Sequence, residues 1–180
     1  MNLRINEKYC VSDITHSDKS AYLEYFREKQ ISEQTLNIPF PYTEADADWW
    51  LNRVAENTKM QNGVSVNWAI RENDGSLIGG IGFHGLEVGK SDQSEIAYWL
   101  AKPHWSKGIM TEAVKAASLY AFKELGLSRI TAKVLAFNLG SAKVLEKAGY
   151  HFEELLPRHY NKDGKLFDGK LYALTLSSRP

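Results

Sequence analysis

The chain has 180 residues, enough for one domain that buries roughly 70% of the surface its unfolded form exposes. Lys and Arg total 22 against 22 Asp and Glu, and 43% of residues are hydrophobic, which argues against a disordered chain, collagen or a basic nucleic-acid scaffold. The single cysteine, Cys10, excludes an internal disulfide and a thiolate metal cage. Five scattered histidines, His16, His84, His104, His151 and His159, imply no metal. No apolar stretch is long enough to cross a bilayer, and the opening residues lack the apolar block of a signal peptide. The reading is a single cytoplasmic domain over residues 1–180, with no membrane partner and no direct nucleic-acid binding.

Residues 3–9 alternate as an opening strand, and Cys10 reads as a small core residue in that first strand. Residues 18–29 carry Tyr22, Tyr25 and Phe26 at helical spacing. Residues 43–57 carry Ala47, Trp50, Leu51 and Val54, with Thr43 placed as N-cap. The period then changes: Val64, Val66, Trp68 and Ile70 alternate, Asn73-Asp74-Gly75 turns, and Leu77, Ile81 and Phe83 resume, which predicts a hairpin. Residues 95–101 form a further strand. Pro103 closes it before a helix marked by Val114, Ala117, Ala121 and Leu125 and stopped by Gly126.

Residues 130–135 are β-branched and alternating, and the helical crossover before them makes this strand parallel to its predecessor. Asn138 caps a short helix with Ala142, Leu145 and Ala148 that stops at Gly149. Residues 150–160 and 166–176 bracket the turn Asn161-Lys162-Asp163-Gly164. The predicted fold is mixed α/β: a central sheet of about seven strands in the order β-α-α-β-β-β-α-β-α-β-β, with helices on both faces.

Chemistry concentrates where a strand, a short loop and a helix start meet, because main-chain N–H groups and a helix dipole there point at an anion. His104-Trp105-Ser106-Lys107-Gly108-Ile109-Met110-Thr111-Glu112-Ala113 occupies that junction. Gly108 permits close approach of a phosphate, Lys107 adds a cation, and Ser106 and Thr111 offer hydroxyls, so a pyrophosphate fits. The same pattern also reads as an ordinary helix start with a flexible glycine. Neither a P-loop nor a G-x-G-x-x-G signature is present.

The run Glu95-Ile-Ala-Tyr-Trp-Leu-Ala, followed by Trp105-Ser-Lys-Gly-Ile-Met-Thr-Glu-Ala, resembles the acetyl-CoA segment of the GNAT superfamily of N-acetyltransferases, in its RimJ/RimL-type branch. Asn138-Leu-Gly-Ser141, continuing to Gly149-Tyr150, is similar to that branch's Asn-x-x-Ser helix and its glycine-aromatic pair. The superfamily's loop is commonly Gln/Arg-x-x-Gly-x-Gly/Ala, whereas Trp105 and Met110 stand at the outer positions here. Phosphates are held mainly by main-chain N–H groups, so these side chains leave the assignment intact.

The resemblance implies a GNAT-like domain in which residues 95–101 splay from residues 130–135 and acetyl-CoA lies in the gap. Its pantetheine would pair with main chain at Trp99, Leu100 and Ala101. Its pyrophosphate would meet Trp105, Ser106, Lys107, Gly108, Ile109, Met110 and Thr111, with Asn138 and Ser141 completing the cofactor contacts. The Leu100 N–H would hold the thioester oxyanion, Glu95 would serve as base and Ser141 would protonate the leaving thiolate.

Each side chain also has a structural reading. Glu95 reads as a strand-edge carboxylate and Ser141 as a first-turn hydroxyl satisfying backbone. The branch's glutamate before the last turn is missing: the chain reads Pro157-Arg158-His159-Tyr160, where His159 stands either as a substitute base or as a surface residue. Glu153 and Glu154 read as a solvated face. Trp49, Trp50, Trp68, Trp99 and Trp105 are mostly core residues, and the loop Phe40-Pro41-Tyr42 is the candidate substrate contact.

The implied activity is acetyl transfer from acetyl-CoA to a primary amine, the N-terminal α-amine of a protein or peptide, by direct attack without a covalent enzyme intermediate. The alternatives are a small-molecule amine acceptor (a polyamine, an amino acid or an antibiotic) and a non-catalytic CoA-binding module. A homodimer is an expectation of the branch.

Overall fold

The opening alternation forms two short antiparallel strands, not one: β1 (Asn2–Arg4) and β2 (Tyr9–Asp13). Asn6 is the cause. Its side-chain oxygen accepts from the N–H groups of Lys8 and Tyr9 at 2.9 and 3.1 Å, an Asx-type turn that reverses the chain. Cys10 therefore lies on β2, where it is only half-buried and faces Arg4 and Arg71 in register, so it is not the core residue expected.

The computed structural model describes residues 2–176, which divide into two compact units, residues 2–82 with Tyr98–Ile109 and Phe83–Ala97 with residues 110–176. In the first, β2 pairs with β3 (Asn67–Glu72), β3 with β4 (Leu77–His84), and the end of β5 (Gln93–Leu100) lies beside β4. In the second, the start of β5 pairs in parallel with β6 (Arg129–Leu135). That strand pairs antiparallel with β8 (Lys165–Thr175), and β8 with β7 (His151–Lys162). The mixed sheet thus has eight strands in the order β1-β2-β3-β4-β5-β6-β8-β7, one more than expected because the first strand is split.

The helix expected over residues 18–29 is broken into α1 (Lys19–Tyr25) and α2 (Lys29–Gln34). At about 100° per residue an unbroken helix would carry Ile31 to the side opposite Tyr22. The break lets Tyr22, Phe26 and Ile31 share one core with Leu51, Ala69 and Leu77. Thr43 caps α3 (Glu44–Met60) as expected, in a reciprocal capping box with Asp46. A buried ion pair pins the entry to α1: Arg71 forks onto both carboxylate oxygens of Asp18 at 2.7 and 2.8 Å, and its Nε donates to Ser12 Oγ.

In the second unit, α4 (Ile109–Glu124) and α5 (Leu139–Lys147) follow the expected bounds closely. Ala113, Val114, Ala117, Ala121, Ile130, Leu145 and Tyr172 are buried there. The buried hydroxyls of Ser118 and Tyr150 satisfy each other at 2.8 Å. Gly126 and Gly149, both at positive φ, terminate the two helices.

Candidate active site

Between β5 and α4 a single 3-10 turn, Lys102–His104, delivers the chain to Trp105. Lys102 pairs with Glu28 at 3.0 Å, and the Trp105 indole N–H donates to the Leu100 carbonyl at 2.6 Å, so the loop is tied back to the strand it leaves. Trp105 thus acts through its indole as a strut, which accounts for an aromatic residue where a glutamine or arginine is commoner.

Beyond it the backbone turns left-handed twice, at Ser106 (φ 61°) and Gly108 (φ 77°). Such turns direct successive N–H groups into a concavity. Ser106, Lys107 and Gly108 are exposed, whereas Ile109, Met110 and Thr111 bury their side chains and offer only main chain. Among the described residues, no carbonyl takes the N–H groups of residues 106–108, and those at the start of α4 lack intrahelical acceptors by construction. The loop presents a row of unspent donors at the positive end of a four-turn helix, and Lys107 adds its charge.

At the end of β5 the three residues expected to face pantetheine separate. The Ala101 N–H donates to Ile78 O at 2.8 Å and its carbonyl accepts from His104 N at 2.9 Å, so both groups are spent inside the fold. Strand alternation aims the Trp99 main chain the same way, toward β4, and the main-chain groups of Leu100 and Tyr98 toward the other edge. The Leu100 carbonyl on that edge is taken by the Trp105 indole, which leaves the Leu100 N–H there. The Trp99 side chain instead packs on Phe26 and Tyr22, with ring centroids 4.5 and 5.5 Å apart.

In the second unit the parallel ladder of β5 with β6 comprises Gln93–Arg129, Ser94–Ile130 and Glu95–Thr131, and ends there although β6 continues in register with β8 to Leu135. Glu95 stands at that end. Its Oε2 accepts from Lys133 Nζ at 2.7 Å, both side chains being about two-thirds buried. Asn138 caps α5 through its side-chain oxygen, which accepts from Ser141 N at 3.0 Å, and Ser141 sits half-buried in the first turn. His159 is exposed and stacks edge-on against Tyr160. Glu153 is exposed and pairs with Arg129, as a solvated face would.

Phe40 is exposed and Tyr42 packs on Phe26 at 4.8 Å, whereas Trp49 lies outside the core at 66% exposure and Trp68 fully within it. Sequence reasoning passed over Lys133 and Tyr160. The polar face of β6, with Thr131 and Lys133 alternating against buried Ile130, Ala132 and Val134, marked the first. Pro157 inside a strand marked a bulge near the second.

A family model described as an acetyltransferase (GNAT) domain matches residues 9–151. Probable N-acetyltransferase YjcK of Bacillus subtilis (strain 168) is 43% identical over 101 residues, 56% of this chain and 56% of that protein, so the match spans little more than half of that relative's length. The ribosomal-protein-S5-alanine acetyltransferase from Vibrio fischeri superposes over 100% of both chains with a TM-score of 0.84 and 22% identity. RimL, a ribosomal L7/L12 α-N-protein acetyltransferase in complex with coenzyme A, covers 98% of each chain at a TM-score of 0.86 and 17% identity. At those identities the two structures speak to the fold.

Proposed function

The chain belongs to the GNAT acetyltransferase family, and from that premise we propose that it transfers the acetyl group of acetyl-CoA to the N-terminal α-amine of a protein or peptide. The observation that carries the first half is the row of unspent N–H groups over residues 106–109, directly downstream of a strand edge that presents the Leu100 N–H. The loop would hold the pyrophosphate, with Lys107 adding charge. The Leu100 N–H would hold the pantetheine arm by a strand-like main-chain hydrogen bond.

The Leu100 N–H would meet the thioester oxygen as negative charge develops on it. Donors of this kind contribute about 3 kcal/mol each where they have been removed. In the reaction the amine nitrogen bonds to the acetyl carbon, the carbon–sulfur bond breaks, and the amine's surplus proton leaves. Glu95 would draw off that proton, and the Ser141 hydroxyl would supply one to the departing thiolate.

Amine chemistry supports the acceptor class. An α-amine with a pKa of about 8 is partly neutral at pH 7, whereas a lysine side chain near 10.4 is almost wholly protonated. A carboxylate is a weak base, suited to the first. The superposed S5 and L7/L12 enzymes bear names describing acceptors of this kind.

The test is thiol release from acetyl-CoA with a panel of peptides starting in alanine, serine or methionine, and with spermidine and free amino acids alongside. Turnover confined to peptides is expected. Turnover confined to spermidine or amino acids would move the acceptor to small amines. Calorimetric binding of acetyl-CoA with no turnover on any amine would leave a binding module.

A further inference from the structure

The long β7 strand is interrupted where its register with β8 slips. Leu156 faces Gly169 and Tyr160 faces Phe167, so three residues of β7, Pro157, Arg158 and His159, stand against Asp168 alone. Arg158 adopts a left-handed backbone at φ 49°, and its N–H is held by Asp168 Oδ1 at 2.7 Å. Asp168 is itself anchored, because its carbonyl accepts from Ala136 N at 2.9 Å. A bulge of this kind re-aims the side chain that follows it.

That side chain is Tyr160, whose ring lies over Gly169. A Cβ on that glycine would come within 2.6 Å of the Tyr160 Cε2 atom, so β8 leaves a gap for the ring. The Tyr160 hydroxyl is buried and, among the described residues, has no hydrogen-bond partner. Burial, and then the charge of Glu95, push its pKa up to about 12, which keeps the hydroxyl protonated at neutral pH and sets it within electrostatic reach of the Glu95 carboxylate. A buried hydroxyl left without a partner costs free energy, and a strained bulge spent on placing it there calls for a reason.

We propose that the Tyr160 hydroxyl is an acceptor-binding residue, hydrogen-bonding the amine nitrogen next to Glu95 and holding it for attack on the thioester. This rests on the acetyl-transfer reading above. His159, exposed beside it, lies outside that role. A tyrosine hydroxyl oxygen accepts an N–H from the ammonium and equally from the neutral amine, so it holds the acceptor on both sides of its proton loss and leaves the nitrogen lone pair free to attack.

The experiment is Tyr160→Phe in the full chain, which deletes one unbonded oxygen and keeps the ring. The peptides and spermidine named above serve as acceptors. Kinetics are read for the amine, acetyl-CoA affinity by calorimetry, and the unfolding midpoint in urea. A fall of about tenfold or more in kcat/KM for the amine, with acetyl-CoA affinity and the urea midpoint unchanged, is expected. Unaltered amine kinetics overturn the proposal. So does a parallel fall in acetyl-CoA affinity and midpoint, which would make the hydroxyl structural. Gly169→Ala, which crowds the ring without touching the hydroxyl, should give the same selective loss. Wild-type protein that binds acetyl-CoA but acetylates no amine removes the reading beneath the proposal, and the proposal falls with it.

Discussion

Lys133 Nζ donates to Glu95 Oε2 across 2.7 Å, joining the middle of β6 to the last residue of β5 that β6 pairs. The lysine holds one carboxylate oxygen, and on the proposed reading the other would take the substrate proton. Glu95→Gln should therefore lower kcat/KM for the amine by about a hundredfold, the lower range for a positioned acid or base. Lys133→Met should cost about tenfold by letting the carboxylate wander. Neither should shift acetyl-CoA affinity, because the pyrophosphate loop is untouched. Steady-state kinetics with calorimetry check both, and a Glu95→Gln enzyme of full activity would assign the carboxylate to strand-edge structure alone.

Asp18 and Arg71 form a bidentate, largely buried ion pair within the first unit, with side-chain exposures of 6% and 14%. Truncating one partner leaves a buried charge, so Asp18→Ala should destabilise by about 3 kcal/mol, read from urea midpoints at pH 7. Burial alone would raise the Asp18 pKa, but hydrogen bonds from Arg71 and Thr15, with the Arg71 charge, outweigh it and hold the carboxyl below its ordinary range. The folded value lies below the unfolded one, so this stabilisation is complete above about pH 4 and is lost as pH falls through the folded value. Wild type should lose more stability on acidification than Asp18→Ala, and equal losses would contradict the assignment.

Most of the second unit was legible because each of its signals is local. Asn138, Gly126 and Gly149 cap or stop helices within four residues of themselves, and alternation in residues 130–135 marks β6. The split first strand and the broken α1–α2 helix were less legible. One depends on Asn6 competing with the ladder, the other on Ile31 having to reach a core whose position only tertiary packing sets. At the site, the loop was readable from strand, glycine and helix. Which residues of 99–101 face the edge was not, since a single hydrogen bond from Ala101 to Ile78 decides it. The Lys133–Glu95 pair joins residues 38 positions apart, and nothing local announces it.

Gly80 lies directly beneath the Trp99 indole: a Cβ there would stand 2.5 Å from Nε1 and 3.1 Å from Cδ1. The same indole is packed by Tyr22 of α1 and by Phe26 just past its end, so it has little room to give. Gly80→Ala should cost about 1–3 kcal/mol of stability by overpacking. Displacing Trp99 also moves the neighbouring Leu100 main chain, so KM for acetyl-CoA should rise in the same variant. Urea melts and acetyl-CoA titration follow the two effects, and a neutral result in both would show that the indole is free to shift.

Ser106 and Gly108 both hold left-handed backbone, but only one of them carries a side chain. The space around Gly108 is open, with nothing within 4 Å of a built Cβ, so a substitution there acts through conformation alone. Gly108→Val adds a branched Cβ at φ 77°, costing about 1–2 kcal/mol to keep the turn. The loop should relax out of that turn, and the N–H groups that converge on an anion should scatter. Acetyl-CoA affinity is then expected to fall at least tenfold while the buried core keeps the urea midpoint near wild type. Ser106→Gly works in the opposite sense. It removes a strained side chain from an exposed position, so affinity should hold within about twofold and stability should not fall, the relief offsetting the added freedom of the unfolded chain. Calorimetry with acetyl-CoA and with free coenzyme A should rank the three proteins alike, because both ligands carry the same pyrophosphate. A Gly108→Val protein that binds both as tightly as wild type would place the pyrophosphate elsewhere on the chain.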